Sequence, residues 1–253
     1  MRFLCSILAV LLLCGCRAPK PHHRASHPPP ERRKQIFLVI DDAGLDVAET
    51  QQFLKIPVPM TIAVLPHLKM TGEVCAEIRR HADKELILHQ PMEAYDRESD
   101  TGPGAIRNAT RPEDVAKILD RNLASVRGAV GMNNHMGSRV TENEAIMTAI
   151  LRYCRAHGLY FLDSKTAYNS LVPRVAEREH IHLEARDVFL DVQHDRETVR
   201  RAWESTVLKA REDGYVIAIG HIWSKETASA IRDSYQTLIN QGYSFHLLSE
   251  LYK

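Results

Sequence analysis

From Gln35 onward, short apolar runs alternate with helix-period patterns, and this alternation limits the possible folds more than any other feature of the chain. Apolar runs place strands near 36–40, 59–65, 85–89, 129–132, 159–162, 187–190, 215–219 and 243–247. Helical spacing places helices near 46–55, 70–82, 112–127, 142–157, 172–179, 196–213 and 225–240. In the third of these, Val115, Ile118, Leu119, Leu123 and Val126 form one apolar stripe. Thr110 with Glu113, and Thr141 with Glu144, have capping-box spacing at two helix starts. Strand–helix alternation implies crossovers between parallel strands, so the class is α/β, with either a closed barrel or an open doubly wound sheet. No glycine-rich phosphate loop follows the first strand, which argues against a nucleotide-binding version. With 44% hydrophobic and 26% charged residues, the chain has enough apolar side chains for a sizeable core.

Chemistry in parallel barrels gathers at the carboxyl ends of the strands. Here Asp41 and Asp42 follow the first strand in "VIDDAG" and His89 ends the third. Asn133, Asn134 and His135 follow the fourth, Asp163 the fifth, Asp191 the sixth and His221 the seventh. Adjacent strand residues point to opposite faces, so two successive carboxylates after an apolar strand need compensation from elsewhere. Taken singly, each position also has a plain structural reading. Asp41 and Asp42 suit a turn, with Gly44 supplying positive φ. Asn133 and Asn134 suit turn shaping, Asp163 suits a helix cap, and His89 before a proline suits a satisfied strand end. His221, after a buried strand and a glycine, meets no packing need. Trp223, two residues on, fits the core or the wall of a cleft.

Together, "VIDDAG", "LILHQPME", "NNHMGS", "FLDS", "VFLD" and "AIGH" resemble, in order and spacing, the divergent polysaccharide deacetylases, relatives of the chitin and peptidoglycan deacetylases. The resemblance spans Gln35 to Lys253 and implies a distorted (β/α) barrel of about seven strands with a divalent metal. It further implies Asp41 as general base, Asp42 and His89 as metal ligands, and His221 as general acid. The position four beyond His89, where better-known deacetylases carry a second ligand histidine, is Glu93. His135 therefore becomes the expected third ligand, with Glu93 as the alternative. Asp163 or Asp191 would orient His221 or a ligand histidine. Mixed nitrogen and oxygen ligands make Zn²⁺ the leading candidate, with Fe, Co, Ni and Mn fitting nearly as well. The expected activity is metal-dependent hydrolysis of acyl groups, N-acetyl above all, from a polysaccharide or peptidoglycan-type glycan. The alternative is a non-catalytic glycan- or protein-binding lipoprotein that keeps the barrel.

Outside the barrel, residues 1–16, "MRFLCSILAVLLLCGC", carry one charge, an apolar run too short for a membrane span, and a lipobox-like ending. The expectation is a lipoprotein-type signal peptide, cleaved before a lipidated Cys16 that attaches the protein to the membrane. Arg17 after the lipid site favours an outer-membrane position facing the periplasm of a bacterial envelope. Residues 17–34 hold five prolines and no apolar run, and read as a basic, semi-rigid tether. Its His22, His23 and His27 offer at most opportunistic metal binding. Of 33 basic and 32 acidic side chains, residues 1–34 hold seven basic and one acidic, leaving 26 and 31 from residue 35 onward. A mildly acidic domain is a poor partner for nucleic acid. Cys75 and Cys154 fall in helical patterns with no spacing that demands a bridge, so buried free thiols are expected.

Overall fold

The computed structural model describes residues 33–96 and 100–253. The expected signal peptide and nearly all of the tether lie outside the described residues. Among the described residues, no helix is long and apolar enough to cross a membrane.

Among the described residues, nine strands and seven α-helices follow one another as β1 (Gln35–Ala43), α1 (Val47–Leu54), β2 (Met60–Val64), α2 (Thr71–Ile78), β3 (Lys84–Met92), α3 (Pro112–Ser125), β4 (Gly131–Met136) and α4 (Glu144–Ala156). Then come β5 (Tyr160–Asp163), α5 (Val172–Arg178), β6 (Glu184–Ala185), β7 (Val188–Phe189), α6 (Arg196–Asp213), β8 (Tyr215–His221), α7 (Lys225–Asn240) and β9 (Ser244–His246). A final 3-10 turn spans Leu248–Tyr252. All pairings are parallel, in the order β6-β5-β4-β3-β2-β1-β8-β7, and β9 adds to the start of β1.

The two outer strands of this sheet, β6 and β7, are joined by only Arg186 and Asp187, so the sheet edges lie within about 11 Å of each other. The Arg186 amide donates to Asp163 O of β5 and the next amide, Asp187, donates to Ile217 O of β8. Two consecutive residues thus stitch opposite edges together, and the sheet curls into the expected distorted barrel. Its seventh stave is the broken pair β6/β7.

The strand pleat divides the core into two layers. Ile36, Leu38 and Ile40 face outward against the helices, while Phe37, Val39, Ala63, Ile87, Leu162, Ile217 and Ile219 fill the barrel interior. Burying each such large aliphatic or aromatic side chain contributes about 1.5–3 kcal/mol. At the amino end of the strands the interior is closed by Leu248 and by a buried carboxylate. Glu85 Oε1 accepts from Thr61 Oγ1 at 3.0 Å, Tyr160 OH at 2.6 Å and Ser249 N at 3.2 Å.

The stripe on α3 buries Val115, Leu119 and Val126, with Ile118 and Leu123 packed at its margin. Neither expected capping box forms. Pro112 at the first turn starts α3 after Arg111, because its fixed φ is already helical, and Thr110 instead accepts from the Arg107 amide. Asn143 caps α4 by accepting from the Ile146 amide, and Thr141 donates to Gly137 O. Cys75 and Cys154 are free and buried, and burial pushes their thiols up to about 11 and about 12.

Candidate metal centre

The inward pleat carries the chemistry. Phe37 and Val39 face the barrel interior, so two residues on Asp41 does too; by the same period Ile217 and Ile219 lead to His221, and Ile87 leads to His89. Asp41 pairs with His221 across β1 and β8, and His89 pairs with Asn133 across β3 and β4. His135 follows two residues after Asn133 on the same pleat.

Strict alternation would send Asp42 to the opposite face. Its φ of +66° breaks the alternation, a conformation uncommon for a residue with a Cβ and frequent at functional sites. At the same place the β1–β2 register slips, since three steps from Ile40 to Ala43 face two steps from Ile62 to Val64. This β-bulge turns the second carboxylate toward the cleft that the first already faces.

Asp42 Oδ1 lies 3.1 Å from His89 Nε2 and 3.0 Å from His135 Nδ1, and the two ring nitrogens are 3.1 Å apart. Despite these distances Asp42 Oδ1 is buried without a properly directed hydrogen bond. Three ligand atoms therefore crowd one point, the two ring nitrogens within hydrogen-bond distance of each other and the carboxylate oxygen left unpaired. A position about 2 Å from all three exists just off their plane, the distance at which imidazole nitrogen and carboxylate oxygen bind zinc. The donor set and the orphaned oxygen both fit a divalent cation. Burial opposes charge on Asp42, but the His135 and His89 contacts outweigh it and hold this carboxyl well below the usual range. Burial also works against a charged His89, and the Asp41 and Asp42 carboxylates overcome it to raise its pKa.

Asp41 is 2% exposed, and burial raises its pKa, against the lowering pull of His89 and His221. Asn133 Nδ2 donates to its Oδ1 at 2.8 Å, while Oδ2 lies 3.7 Å from His89 Nε2. The His221 ring is held on three sides. Nδ1 donates to Asp191 Oδ1 at 2.7 Å, and the ring stacks between Phe189 and Trp223, at centroid distances of 5.7 and 5.1 Å. Asp191 Oδ2 accepts from the His221 amide and the Thr227 hydroxyl, both at 2.8 Å. Gly220 is required here, since a Cβ would meet Thr227 Cγ2 at 2.8 Å. Burial lowers the His221 pKa, but the hydrogen bond and charge of Asp191, with help from Asp41 and Asp42, raise it to about 9.

Two expected site residues do other work. Glu93 is absent from the ligand cluster: its Oε1 accepts from Arg139 Nη1 and its Oε2 from the Asn108 amide, each at 2.8 Å, so it fastens the loop after β3. Asp163 follows inward-facing Leu162 and so leaves the inner pleat. It accepts from the Lys165 amide and the Ser170 hydroxyl, and Asp191 alone of the two candidates orients His221. Asn134 shapes the turn, as expected, bonding Met136 O, Thr166 and the Ser164 amide. Asn133, expected to be its turn partner, lies instead at the centre of the site.

A family model described as divergent polysaccharide deacetylase matches residues 38–252. The chain belongs to this family. Among curated relatives of this deacetylase-family chain, the uncharacterized protein YibQ of Escherichia coli K12 is 31% identical over 191 residues, covering 74% of the chain. The chain spans only 58% of that relative's length. Among solved structures, the uncharacterized protein ATU2773 of Agrobacterium tumefaciens C58 superposes with a TM-score of 0.80 at 20% identity, covering 89% of the chain and 92% of its own. The catalytic domain of a peptidoglycan N-acetylglucosamine deacetylase from Eubacterium rectale superposes at 0.56 and 15% identity, covering 92% and 96%. A carbohydrate esterase family 4 pseudoenzyme from Bacillus anthracis also shares the fold, at 0.50 and 14% identity, covering 88% and 66%. Since both an enzyme and a pseudoenzyme use this fold, activity in the deacetylase family has to be argued from the site.

Beyond Asn133, Phe189 and Trp223 were not legible as a clamp on His221. The pleat offered the one available signal: had β4 been carried through "NNHM", period 2 would have put Asn133 on the face of His135.

Proposed function

We propose that this protein is an envelope-anchored, metal-dependent hydrolase that removes acyl groups, N-acetyl above all, from a polysaccharide or cell-wall glycan. One observation carries the reading: the adjacent Asp41 and Asp42 divide two tasks at one cleft. Asp42 closes the ligand triangle with His89 and His135, while Asp41 stands beside it in register with His221.

A divalent cation held by Asp42, His89 and His135, Zn²⁺ foremost, supplies Lewis-acid polarisation of the scissile carbonyl and a water made more acidic. Asp41 Oδ1 is occupied by Asn133, so Oδ2 is the oxygen that takes the proton as water attacks. Burial raises its pKa, the direction that makes a carboxylate a stronger base. His221 donates Nδ1–H to Asp191, which leaves Nε2–H to protonate the departing amine. A pKa of about 9 keeps this acid charged at neutral pH.

The lipobox ending at Cys16 and the proline-rich tether support membrane attachment on the periplasmic face. The alternative, a non-catalytic glycan- or protein-binding lipoprotein, drew on Glu93 standing where a ligand histidine was expected. His135 on β4 offers a third ligand nitrogen beside Asp42 and His89, which supports the hydrolase reading over this one. The test is acetate release from acetylated glycan oligomers by zinc-loaded protein. Release that disappears in Asp41→Asn supports the hydrolase; stoichiometric metal with no release from any acylated glycan supports the binding protein.

A further inference from the structure

We infer that Asn133 is the residue that positions both halves of the site, aiming the Asp41 carboxylate with one end of its carboxamide and fixing the metal-facing nitrogen of His89 with the other. The inference rests on the proposed metal-dependent hydrolysis. Asn133 is 0% exposed, and no side chain other than Asp41 and His89 bonds its amide among the described residues.

The direction of the amide follows from its neighbours. The Asp41 carboxylate only accepts, so the group 2.8 Å from its Oδ1 is the NH₂ end. The carbonyl end then faces His89 Nδ1 at 2.7 Å, and because a carbonyl only accepts, Nδ1 carries the hydrogen. A neutral His89 in that tautomer has its lone pair on Nε2, the atom that closes the triangle with Asp42 and His135. One rigid side chain thus couples the orientation of the base to the basicity and ring angle of a ligand, as outer partners of metal-binding histidines do. The register explains why it reaches both: Asn133 is the β4 residue paired with His89 on β3, on the inner pleat that also carries Asp41. Asn133 is a positioning residue, since both ends of its amide are taken up by Asp41 and His89.

Asn133→Asp and Asn133→Leu, made in the full chain, separate the two ends. Aspartate keeps an acceptor for His89 Nδ1 but sets a second carboxylate against Asp41. Zinc affinity, measured by calorimetric titration, then stays within about threefold of wild type, while kcat/KM for deacetylation falls by about 100-fold or more through kcat. Leucine has neither end, and zinc binding weakens by about 10–100-fold as well. In wild-type protein, nitrogen NMR of zinc-loaded His89 shows Nδ1 protonated and Nε2 bound. Equal loss of zinc affinity in both variants, or His89 bound through Nδ1, overturns the inference and leaves the hydrolase reading standing. Wild-type protein that binds no zinc, yet shows a downfield His89 Nδ1 proton that Asn133→Leu abolishes, overturns the hydrolase reading and leaves Asn133 in its role.

Discussion

The Asp191–His221 pair makes a pH-dependent contribution to stability that one substitution isolates. In the folded protein the His221 pKa is raised to about 9 from an ordinary value near 6.5, and the side chain is only 20% exposed. A displacement of that size corresponds to about 3 kcal/mol of preference for the charged ring. The folded-state pKa lies above the unfolded one, so this stabilisation is complete below about pH 6.5 and is lost as pH rises through 9. Asp191→Asn removes the carboxylate that outweighs burial, leaving only the more distant Asp41 and Asp42 charges to oppose it. Urea unfolding of metal-free wild type and variant, at steps from pH 6 to pH 10, reads the difference directly. The variant is destabilised by about 3 kcal/mol at the acid end, and the gap narrows toward the alkaline end. In parallel, the Cε1–H resonance of His221 titrates near 9 in wild type and at least one unit lower in the variant. Parallel stability profiles, or an unmoved His221 midpoint, would refute the assignment of this charge to Asp191.

Asp42→Ala abolishes stoichiometric zinc binding, whereas Asp41→Asn retains the metal and loses about 10²–10⁴-fold in kcat; atomic absorption and acetate release distinguish them. Glu93→Gln keeps full zinc content, because Glu93 ties Arg139 and the Asn108 amide rather than the cation, and its cost is read as increased protease sensitivity of the loop after β3. Glu85→Leu strands Thr61, Tyr160 and the Ser249 amide at the closed end of the barrel and lowers stability by about 2–4 kcal/mol in denaturant, without changing zinc stoichiometry.

Much of this architecture is legible from periodicity, and the misses have physical causes. Helices α6 and α7 start and stop where their caps do: Asp195 before Arg196, Gly214 at φ +93° after Asp213, and Ser224 before Lys225. β1, β3 and β4 run further than their apolar residues indicate, because Asp41, His89 and Asn133 satisfy one another across the barrel and need no water. A polar residue read alone looks like a strand exit; read as one member of a paired set, it continues the strand. β6 has two residues, too few for any period to register. The motifs name Asp42, His89 and His135, which do come together, whereas the place of Asn133 depends on which face β4 turns inward. Asp163 and Asp191 both close apolar runs in the sequence, but Asp163 ends β5 next to inward-facing Leu162, whereas Asp191 lies two residues beyond inward-facing Phe189 and so reaches His221 and Thr227.

Metal-dependent hydrolysis as proposed requires Asp42, His89 and His135 to converge on one cation. Anomalous diffraction at the zinc edge from zinc-soaked crystals tests it most directly. One dominant peak is expected about 2 Å from Asp42 Oδ1, His89 Nε2 and His135 Nδ1. A peak elsewhere, such as on the tether histidines His22, His23 and His27, with none inside the triangle, would contradict it.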